Sequence, residues 1–258
     1  MKISIASTFY NDKKMMKLVL DSVLSQDYSN IEHIVADGGS TDGSVELLQE
    51  YEKLYEQAGK TLIWKSERDK GMHDGITKAL SKVTGDYLMV GTDPYYDSHT
   101  ISSIVENITQ NDLDYSYGGM VYQRDGVITR SWSGKPGNWR LGWMMANPTL
   151  CMKRELYEKY GPYDKTYLSA ADYKFQVRLF MDKTLKSKSL NKPLVLFYAG
   201  GASNNDVKAK MLSIKENFRT MREYKVPFGW FTVLCKIAIA LFAYTFHSHK
   251  KIAMEEKS

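Results

Sequence analysis

Cysteine is scarce in this chain of 258 residues, which contains only Cys151 and Cys235. Two cysteines so far apart offer neither a disulfide framework nor the paired spacing of a zinc site. The chain also lacks the hydrophobic segment of a signal peptide, because the apolar run after Lys2 extends only from Ile3 to Ala6. These absences predict a protein of a reducing compartment, and therefore a cytoplasmic location.

The composition is otherwise that of a globular protein, with 43% hydrophobic and 25% charged residues and a net charge of +5. A chain of this length can bury a sizeable core in one large domain, alone or with an appendage. The positive charge is concentrated between Lys183 and Lys225. Such a stretch suits anionic lipid, a phosphorylated substrate or nucleic acid, and equally a solvated helix face.

The first part of the chain alternates strand and helix patterns. The predicted strands are Ile3–Ser7, Ile31–Ala36, Thr61–Lys65 and Tyr87–Val90, and the predicted helices are Lys13–Gln26, Ser44–Tyr55 and Ile76–Lys82. This order predicts an α/β fold with a mostly parallel sheet and helices on both faces. Ligands of such sheets bind outside the carboxyl ends of the strands. Asp37 and Asp93 follow two of these strands and should face one crevice.

Two further helices are predicted later in the chain, over residues 166–182 and 206–225. In the second, an apolar face and a basic face recur at helical spacing. The apolar residues are Met211, Ile214, Phe218 and Met221, and the basic residues are Lys208, Lys215 and Arg222. We expect the apolar face to be buried.

An apolar segment from Phe228 to Phe246 contains a single charge, Lys236. As a helix it would extend about 28 Å, close to the thickness of a bilayer core. A central lysine opposes full insertion and reaches water more easily from a helix lying in the interface. Pro227 precedes the segment, and His247, His249, Lys250 and Lys251 follow it. The pattern favours an in-plane membrane anchor over a spanning helix or a buried oligomer-forming helix.

Acidic residues follow the second and third strands. In ADGGSTDGS, Asp37 is suited to accept hydrogen bonds from a base or a ribose, although a simple turn capped by Asp42 or Ser44 has the same pattern. In SERDKGMHDG, Asp69 should reach the same crevice, unless the run is only a solvated loop. His73 and Lys78 are either support for this loop or exposed surface.

Asp93 follows the fourth strand in GTDPYYD. A carboxylate beside a diphosphate can hold Mg²⁺ or Mn²⁺, which neutralises charge on a departing nucleotide. Pro94 cannot bind a metal, so Asp93 would act alone or with Asp97.

The blocks TFYND, IEHIVADGGSTDGS, SERDKGMHDGITKAL, GDYLMVGTD and YLSAADYKFQVRL, in this order, resemble the family-two inverting glycosyltransferases with a GT-A fold. The likeness is greatest to bacterial members that build capsule and O-antigen polysaccharides. It covers roughly residues 1–205, including Gly200–Ser203. We therefore expect a catalytic domain over 1–205 and, over 206–258, a helical segment for membrane association or oligomerisation.

The resemblance implies specific residue roles. The donor nucleotide, commonly uridine, would be bound by Thr8, Asn11, Asp37, Asp69, Thr92 and Asp93. Asp93 would also hold the divalent cation, and Asp172 would be the general base.

The resemblance also implies an activity. The enzyme would move a hexose or N-acetylhexosamine from a UDP-sugar to a hydroxyl of an oligosaccharide or polyprenyl-diphosphate-linked acceptor. It would work at the inner face of the cell membrane, as a monomer or homodimer, without a nucleic-acid partner. The alternatives are a sugar nucleotidyltransferase and a non-catalytic sugar-nucleotide-binding protein. The first is disfavoured because STFYND, after the first strand, lacks glycines to cradle a triphosphate.

Four later residues have open roles. Trp139 and Trp143 offer flat faces to an acceptor sugar or pack in the core. Asn147 stands where many relatives have histidine. Arg178 is a candidate partner for a phosphate or for a structural carboxylate.

Overall fold

The structure is a computed structural model that describes residues 1–124, 127–161, 163–198 and 207–246. Three features of the sequence lie outside these residues. They are the Gly200–Ser203 motif, the predicted domain boundary at 205, and the basic residues that follow Phe246.

An eight-stranded sheet forms the centre of the fold, in the order β3-β2-β1-β4-β7-β5-β6, with β8 also paired to β5. The strands are β1 (Ile3–Phe9), β2 (Ile31–Asp37), β3 (Thr61–Ser66), β4 (Tyr87–Val90), β5 (Tyr115–Arg124), β6 (Val127–Trp132), β7 (Cys151–Lys153) and β8 (Ser187–Tyr198). Strands β1 to β4 are parallel. Strand β7 runs antiparallel between β4 and β5, whereas β8 is parallel to β5. The predicted α/β class is confirmed.

Helices cover both faces of the sheet. They are α1 (Lys13–Leu24), α2 (Ser44–Gln57), α3 (Met72–Leu80), α4 (Thr100–Asn111), α5 (Arg154–Tyr160), α6 (Ala171–Met181), α7 (Val207–Glu223) and α8 (Gly229–Phe246). Because side chains alternate along a strand, Ile5 packs with α1, α2 and α4, whereas its neighbour Ala6 packs with α3 and α6. The two faces thus have separate cores.

Helix α6 begins at Ala171, five residues later than the pattern predicts. The reason is a carboxylate from α7. The side chain of Glu216 accepts hydrogen bonds from the backbone N–H groups of Leu168, Ser169 and Ala170, at 2.8–2.9 Å. This segment is therefore held as a loop that leads into the helix.

The buried face of α7 is mostly polar and includes only Met221 of the apolar residues with helical spacing. Met211 is 56% exposed, while Glu216, Asn217, Thr220 and Met221 are buried. Polar residues occupy this face because it binds the backbone before α6, which apolar side chains cannot do.

Helix α8 packs against α7 and the short 3-10 helix Trp139–Leu141. Gly142, with φ of +84°, allows this approach, because a Cβ there would lie 2.3 Å from the Lys236 backbone nitrogen. Val233 and Thr232 are buried in the contact. Within the described residues, α8 included, the chain has no helix with the length and apolarity needed to cross a bilayer.

Candidate active site

The carboxyl ends of β1, β2 and β4 meet at one edge of the sheet. Strand β1 lies between the other two, with Ile3 paired to Ile31 on one side and to Tyr87 on the other. Asp37 therefore ends β2 close to the loop that carries Thr92 and Asp93 after β4. This is the crevice that the parallel topology predicts.

Asp37 is buried and fully bonded within the protein. Its Oδ2 accepts hydrogen bonds from the backbone of Gly39 and Ser40, at 3.1 and 2.9 Å, and from Ser66 Oγ at 2.6 Å. Its Oδ1 accepts from Ser40 Oγ. This geometry makes Asp37 an organiser of the loop after β2, and its direct contact with a nucleotide stays a prediction.

Asn11 and Thr8 also connect backbone segments. Asn11 has a φ of +48°, and its Oδ1 accepts a hydrogen bond of 2.8 Å from the Thr41 N–H. Thr8 Oγ1 donates to the Ala36 carbonyl at 3.0 Å. Both residues border the crevice and join the loop after β1 to the end of β2.

Asp42 and Ser44 together close the turn into α2. Asp42 Oδ1 accepts hydrogen bonds from the Ser44 N–H and hydroxyl, at 3.1 and 2.6 Å, while Gly43 holds the N-cap position. Neither predicted residue is therefore the N-cap itself, and Asp42 instead accepts the N–H of the first helical residue.

Asp69 lies closely packed against two glycines. Its Oδ1 accepts a hydrogen bond of 2.8 Å from the Gly71 N–H. Its Oδ2 lies 2.9 Å from the position of a Cβ on Gly38 and 3.0 Å from that of a Cβ on Gly75. Tyr10 is 64% exposed and stands beside Gly38. Glycine at 38 and 75 thus allows the Asp69 carboxylate to lie directly against the backbone.

The loop that carries Asp69 is braced by Lys78, whose Nζ donates to the Arg68 carbonyl at 3.1 Å and pairs with Glu67 at 3.3 Å. Lys78 is therefore support for the loop.

Asp93 is a partly buried carboxyl. Burial raises its pKa to about 6, and a hydrogen bond of 3.3 Å from Thr92 Oγ1 opposes this only in part. A cation beside it would favour the charged form. The described residues contain no group of three His, Cys, Asp or Glu side chains able to hold a metal alone. A cation here would take most of its ligands from a bound diphosphate and water.

That Asp97 joins Asp93 in holding a cation stays a prediction, although Asp97 also has a structural role. Asp97 Oδ1 accepts hydrogen bonds of 3.0 Å from the His99 N–H and from Thr100 Oγ1. It is thus committed to the start of α4, where short acidic side chains stabilise free N–H groups.

Asp172 lies in the first turn of α6, and its Oδ1 accepts a hydrogen bond of 2.7 Å from the Tyr173 N–H. It lines a cavity of about 250 Å³. The other lining residues are Met144, Met145, Ser169, Ala170, Tyr173, Gln176, Ser213 and Lys236. The predicted general base thus has an open space beside it that a substrate can enter.

Tyr163 connects this cavity to the loop that follows β3. Burial raises the pKa of its phenol, and the charge of Asp172 adds to the rise, while the Asn147 side chain opposes it. The ring of Tyr163 lies 6.4 Å from that of His73 on α3. Asn147 therefore supports Tyr163, and Tyr163 in turn packs against His73.

The expectation that Lys236 reaches water from a membrane-bound helix is wrong. Its side chain turns towards the protein, where Nζ lies 4.1 Å from the centre of the Tyr173 ring. Burial lowers the pKa of the ammonium, and the charge of Asp172 opposes this.

Arg178 is structural. Its guanidinium donates to the Tyr224 hydroxyl and to the Tyr160 carbonyl, which joins α6 to the end of α7, and no carboxylate of the described residues pairs with it. Contact of Arg178 with a substrate phosphate stays a prediction.

The tryptophans pack with other rings. Trp139 stacks on Phe180 at 6.1 Å, and Trp143 lies 5.7 Å from both Phe180 and Tyr117. Trp143 also lines a second cavity, of about 500 Å³, with Tyr115, Tyr117 and Phe180. Contact of Trp143 with a sugar stays a prediction. Trp139 packs against the core, which is the other role that the sequence allowed.

A sequence profile of Glycosyl transferase family 2 matches residues 4–169. The chain belongs to glycosyl transferase family 2. A "PGL/p-HBAD biosynthesis glycosyltransferase" of Mycobacterium bovis is 24% identical over 215 residues, which are 81% of this chain and 82% of that protein. The Escherichia coli "UDP-Glc:alpha-D-GlcNAc-diphosphoundecaprenol beta-1,3-glucosyltransferase WfaP" is 24% identical over 80% of this chain and 81% of its own length.

Solved glycosyltransferase structures have the same GT-A fold. TarS of S. aureus, in complex with UDP-GlcNAc, superposes with a TM-score of 0.68 at 16% identity, covering 95% of this chain and 73% of that chain. The mannosyltransferase PcManGT of Pyrobaculum calidifontis, in complex with GDP-Man and Mn²⁺, gives 0.59 at 16% identity over 94% and 75%. The predicted family and fold are confirmed.

For this family 2 glycosyltransferase, sequence reasoning missed Lys236, Gln176 and Glu216 as neighbours of Asp172. Lys236 is recognisable in the sequence as the only charged residue of an apolar helix, but that pattern predicts a membrane-bound helix rather than a binding site. The other two had none, because a glutamine or glutamate on a helix is ordinarily solvated.

Proposed function

We propose that this enzyme is an inverting transferase that moves a hexose or N-acetylhexosamine from a UDP-sugar to an acceptor sugar hydroxyl. The observation that carries the proposal is the open cavity beside Asp172. Tyr163, whose pKa is affected by the charge of Asp172, packs against His73 on α3, the helix that follows the loop of Asp69. A carboxylate at an open cavity is suited to accept a proton. The relatives support the donor class, because WfaP is named for UDP-Glc and TarS was solved with UDP-GlcNAc.

The donor nucleotide lies across the strand ends in this proposal. The nucleobase stacks on the exposed ring of Tyr10, beside Asp69, whose carboxylate favours a planar base with N–H donors. Asp37, Asn11 and Thr8 hold the surrounding loops, and Thr92 orients Asp93. Asp93 is suited to hold Mn²⁺ or Mg²⁺, which when bound neutralises charge on the diphosphate.

Transfer is a single displacement. The acceptor oxygen bonds to the anomeric carbon as the bond from that carbon to the diphosphate oxygen breaks, and UDP leaves with that electron pair. Asp172 accepts the hydroxyl proton as the new bond forms. Attack opposite the leaving group inverts the anomeric centre, and fixed positions for both substrates lower the barrier.

We also propose that α8 contacts the inner face of the cell membrane. On its outward side, Trp230, Phe231, Leu234, Ile239 and Leu241 are each 46–64% exposed. A stripe of large apolar side chains on a helix that does not span suits the membrane interface. The substrate named for WfaP is lipid-linked, which supports this location.

Sedimentation with anionic vesicles tests the membrane contact. Changing Trp230 and Leu234 to serine should release the protein from vesicles, while Tyr10→Ser, an exposed aromatic far from α8, should not. Unchanged sedimentation of the double variant contradicts the proposal. Conversion of a dimer to a monomer instead would assign the stripe to self-association.

The activity is tested by UDP release. UDP-Glc, UDP-GlcNAc and GDP-Man are each incubated with Mn²⁺ and a synthetic GlcNAc-diphosphate lipid, and product is identified by NMR. We expect acceptor-dependent UDP release and an inverted anomeric centre. Turnover of UTP with a sugar 1-phosphate would support nucleotidyl transfer. Donor binding without transfer to any sugar acceptor would support a binding protein.

A further inference from the structure

We propose that Lys236, on the C-terminal helix α8, binds the phosphate group of a glycosyl phosphate or diphosphate acceptor in the Asp172 cavity. This deepens the proposed function and rests on it for the identity of the cavity as the acceptor site.

The first observation is the position of the ammonium. Lys236 lines the cavity of about 250 Å³ together with Asp172 and lies over the ring of Tyr173. Within the described ranges, no carboxylate oxygen is within 4.0 Å of its Nζ. Lys236 is only partly exposed, and an ammonium that is partly shielded from water and has no close counter-ion is unfavourable. An entering anion relieves that cost.

The second observation concerns two other polar side chains of the cavity. Gln176 is 2% exposed and Tyr173 is 3% exposed. Gln176 Oε1 and the Tyr173 hydroxyl have no hydrogen-bond partner among the described residues. Buried polar atoms are nearly always paired in the functional state. The unpartnered oxygens are therefore suited to the hydroxyl groups of a ligand.

The third observation is how firmly the lysine is placed. The α8 backbone at Cys235 and Lys236 touches Gly142, and a Cβ there would lie within 2.3–2.7 Å of it. Val233, one turn earlier, is fully buried. The backbone that carries Lys236 is thus held by packing, and the ring of Tyr173 limits where the ammonium can lie.

Together these groups match one chemical class. A cation, a carboxylate that accepts a proton, and unpartnered hydrogen-bonding atoms suit a sugar with free hydroxyls and a negatively charged substituent. A neutral sugar would leave the ammonium without a counter-ion. Because the opposite side of α8 bears the proposed membrane stripe, a lipid-linked phosphate would arrive beside Lys236 from that surface.

The test is calorimetric titration of the full chain saturated with UDP, so that the donor site is blocked. The probes are N-acetylglucosamine 1-phosphate, glucose 1-phosphate and neutral N-acetylglucosamine. We expect a sugar phosphate to bind at least tenfold more tightly than the neutral sugar. Lys236→Met should abolish this preference, Lys236→Arg should keep it, and Lys215→Met, the same change on the exposed face of α7, should leave it unchanged.

A second measurement needs no variant. In the wild-type protein, a bound sugar phosphate should protect Lys236 but not Lys215 from an amine-reactive reagent, as read by mass spectrometry.

Several results would overturn the inference. One is equal affinity for charged and neutral sugars, and another is an unchanged preference in Lys236→Met. A third is sugar-phosphate binding that vanishes when UDP is added, which would assign the lysine to the donor diphosphate. Failure of UDP itself to bind would contradict the proposed function instead, and the titration without UDP would still decide the role of Lys236.

Discussion

The two sides of the cleft differ in how their polar groups are satisfied. On the donor side, formed by the loops after β1, β2 and β3, Asp37, Asn11 and Thr8 bond to neighbouring backbone or side chains. On the acceptor side, formed by α6 and α8, Gln176 and Tyr173 have unpartnered oxygens among the described residues, and Lys236 has no close carboxylate. On the proposed donor side the polar groups are therefore satisfied within the protein, whereas on the proposed acceptor side they remain available to a ligand.

The largest expected effect is that of Asp172→Asn on the acceptor side. The amide oxygen can still accept the Tyr173 N–H bond, but the side chain can no longer take a proton. We expect acceptor-dependent UDP release to fall by about 10²–10⁴-fold, the usual contribution of general-base catalysis. UDP affinity, measured by titration calorimetry, should stay within about twofold. Near-normal turnover would remove Asp172 as the base.

The next effect tests the loop that leads to Asp172. Glu216→Ala leaves three backbone N–H groups without their buried acceptor, and we expect a loss of about 2–4 kcal/mol in the free energy of unfolding. Because α6 carries Asp172, turnover should fall more than UDP affinity. Glu52→Ala, an exposed glutamate on α2, is the matched control and should change stability by less than about 0.5 kcal/mol. Equal losses in both variants would contradict the role of Glu216.

The same contrast decides how much was predictable from the sequence. Elements and residues of the donor side follow one another along the chain, so strand periodicity located the crevice, and β4 was predicted with its bounds, Tyr87–Val90. The acceptor side is assembled from distant segments, because Glu216 acts on residues 168–170 and Lys236 lies beside Tyr173. Such contacts depend on how α7 and α8 dock, and local patterns contain no information on docking.

The sequence also does not predict which hydrogen-bond partners the acidic loop residues have. The residue types at Asp37 and Asp97 suit ligand binding, but the same oxygens serve backbone N–H groups. A single sequence cannot distinguish these uses, because both need a short acidic side chain at a strand or helix terminus.

A third prediction concerns Asp93, a carboxyl on the proposed donor side that accepts a single long hydrogen bond, from Thr92. Its folded pKa of about 6 exceeds the ordinary 3.8, so the folded state binds more protons between these pH values, and stability falls as pH rises through them. Asp93→Asn should therefore raise the free energy of unfolding by about 2–3 kcal/mol at pH 8, and by nearly nothing below pH 4. Denaturant titration at both pH values measures this.

The matched variant is Asp97→Asn, which weakens the start of α4 and should lower stability by up to about 1 kcal/mol. Opposite signs for the two neighbours are the expected result. Destabilisation by Asp93→Asn at pH 8 would show that its carboxylate is already paired. In the wild-type protein, Mn²⁺-dependent UDP binding should weaken below about pH 6, as Asp93 takes up its proton.

The smallest expected effects distinguish the role of Asp69 from that of Asp37, both on the proposed donor side. Asp69→Asn keeps one acceptor oxygen for the Gly71 N–H but removes the charge that faces Gly38 and Gly75, so UDP affinity should fall by about tenfold, near 1.4 kcal/mol. Its stability should change by less than about 0.5 kcal/mol. Asp37→Asn should do the reverse and lower stability by about 1–2 kcal/mol, since an amide cannot accept all its hydrogen bonds. Thermal melts with and without UDP measure both quantities, and a larger affinity loss at position 37 than at 69 would move the nucleotide contact to Asp37.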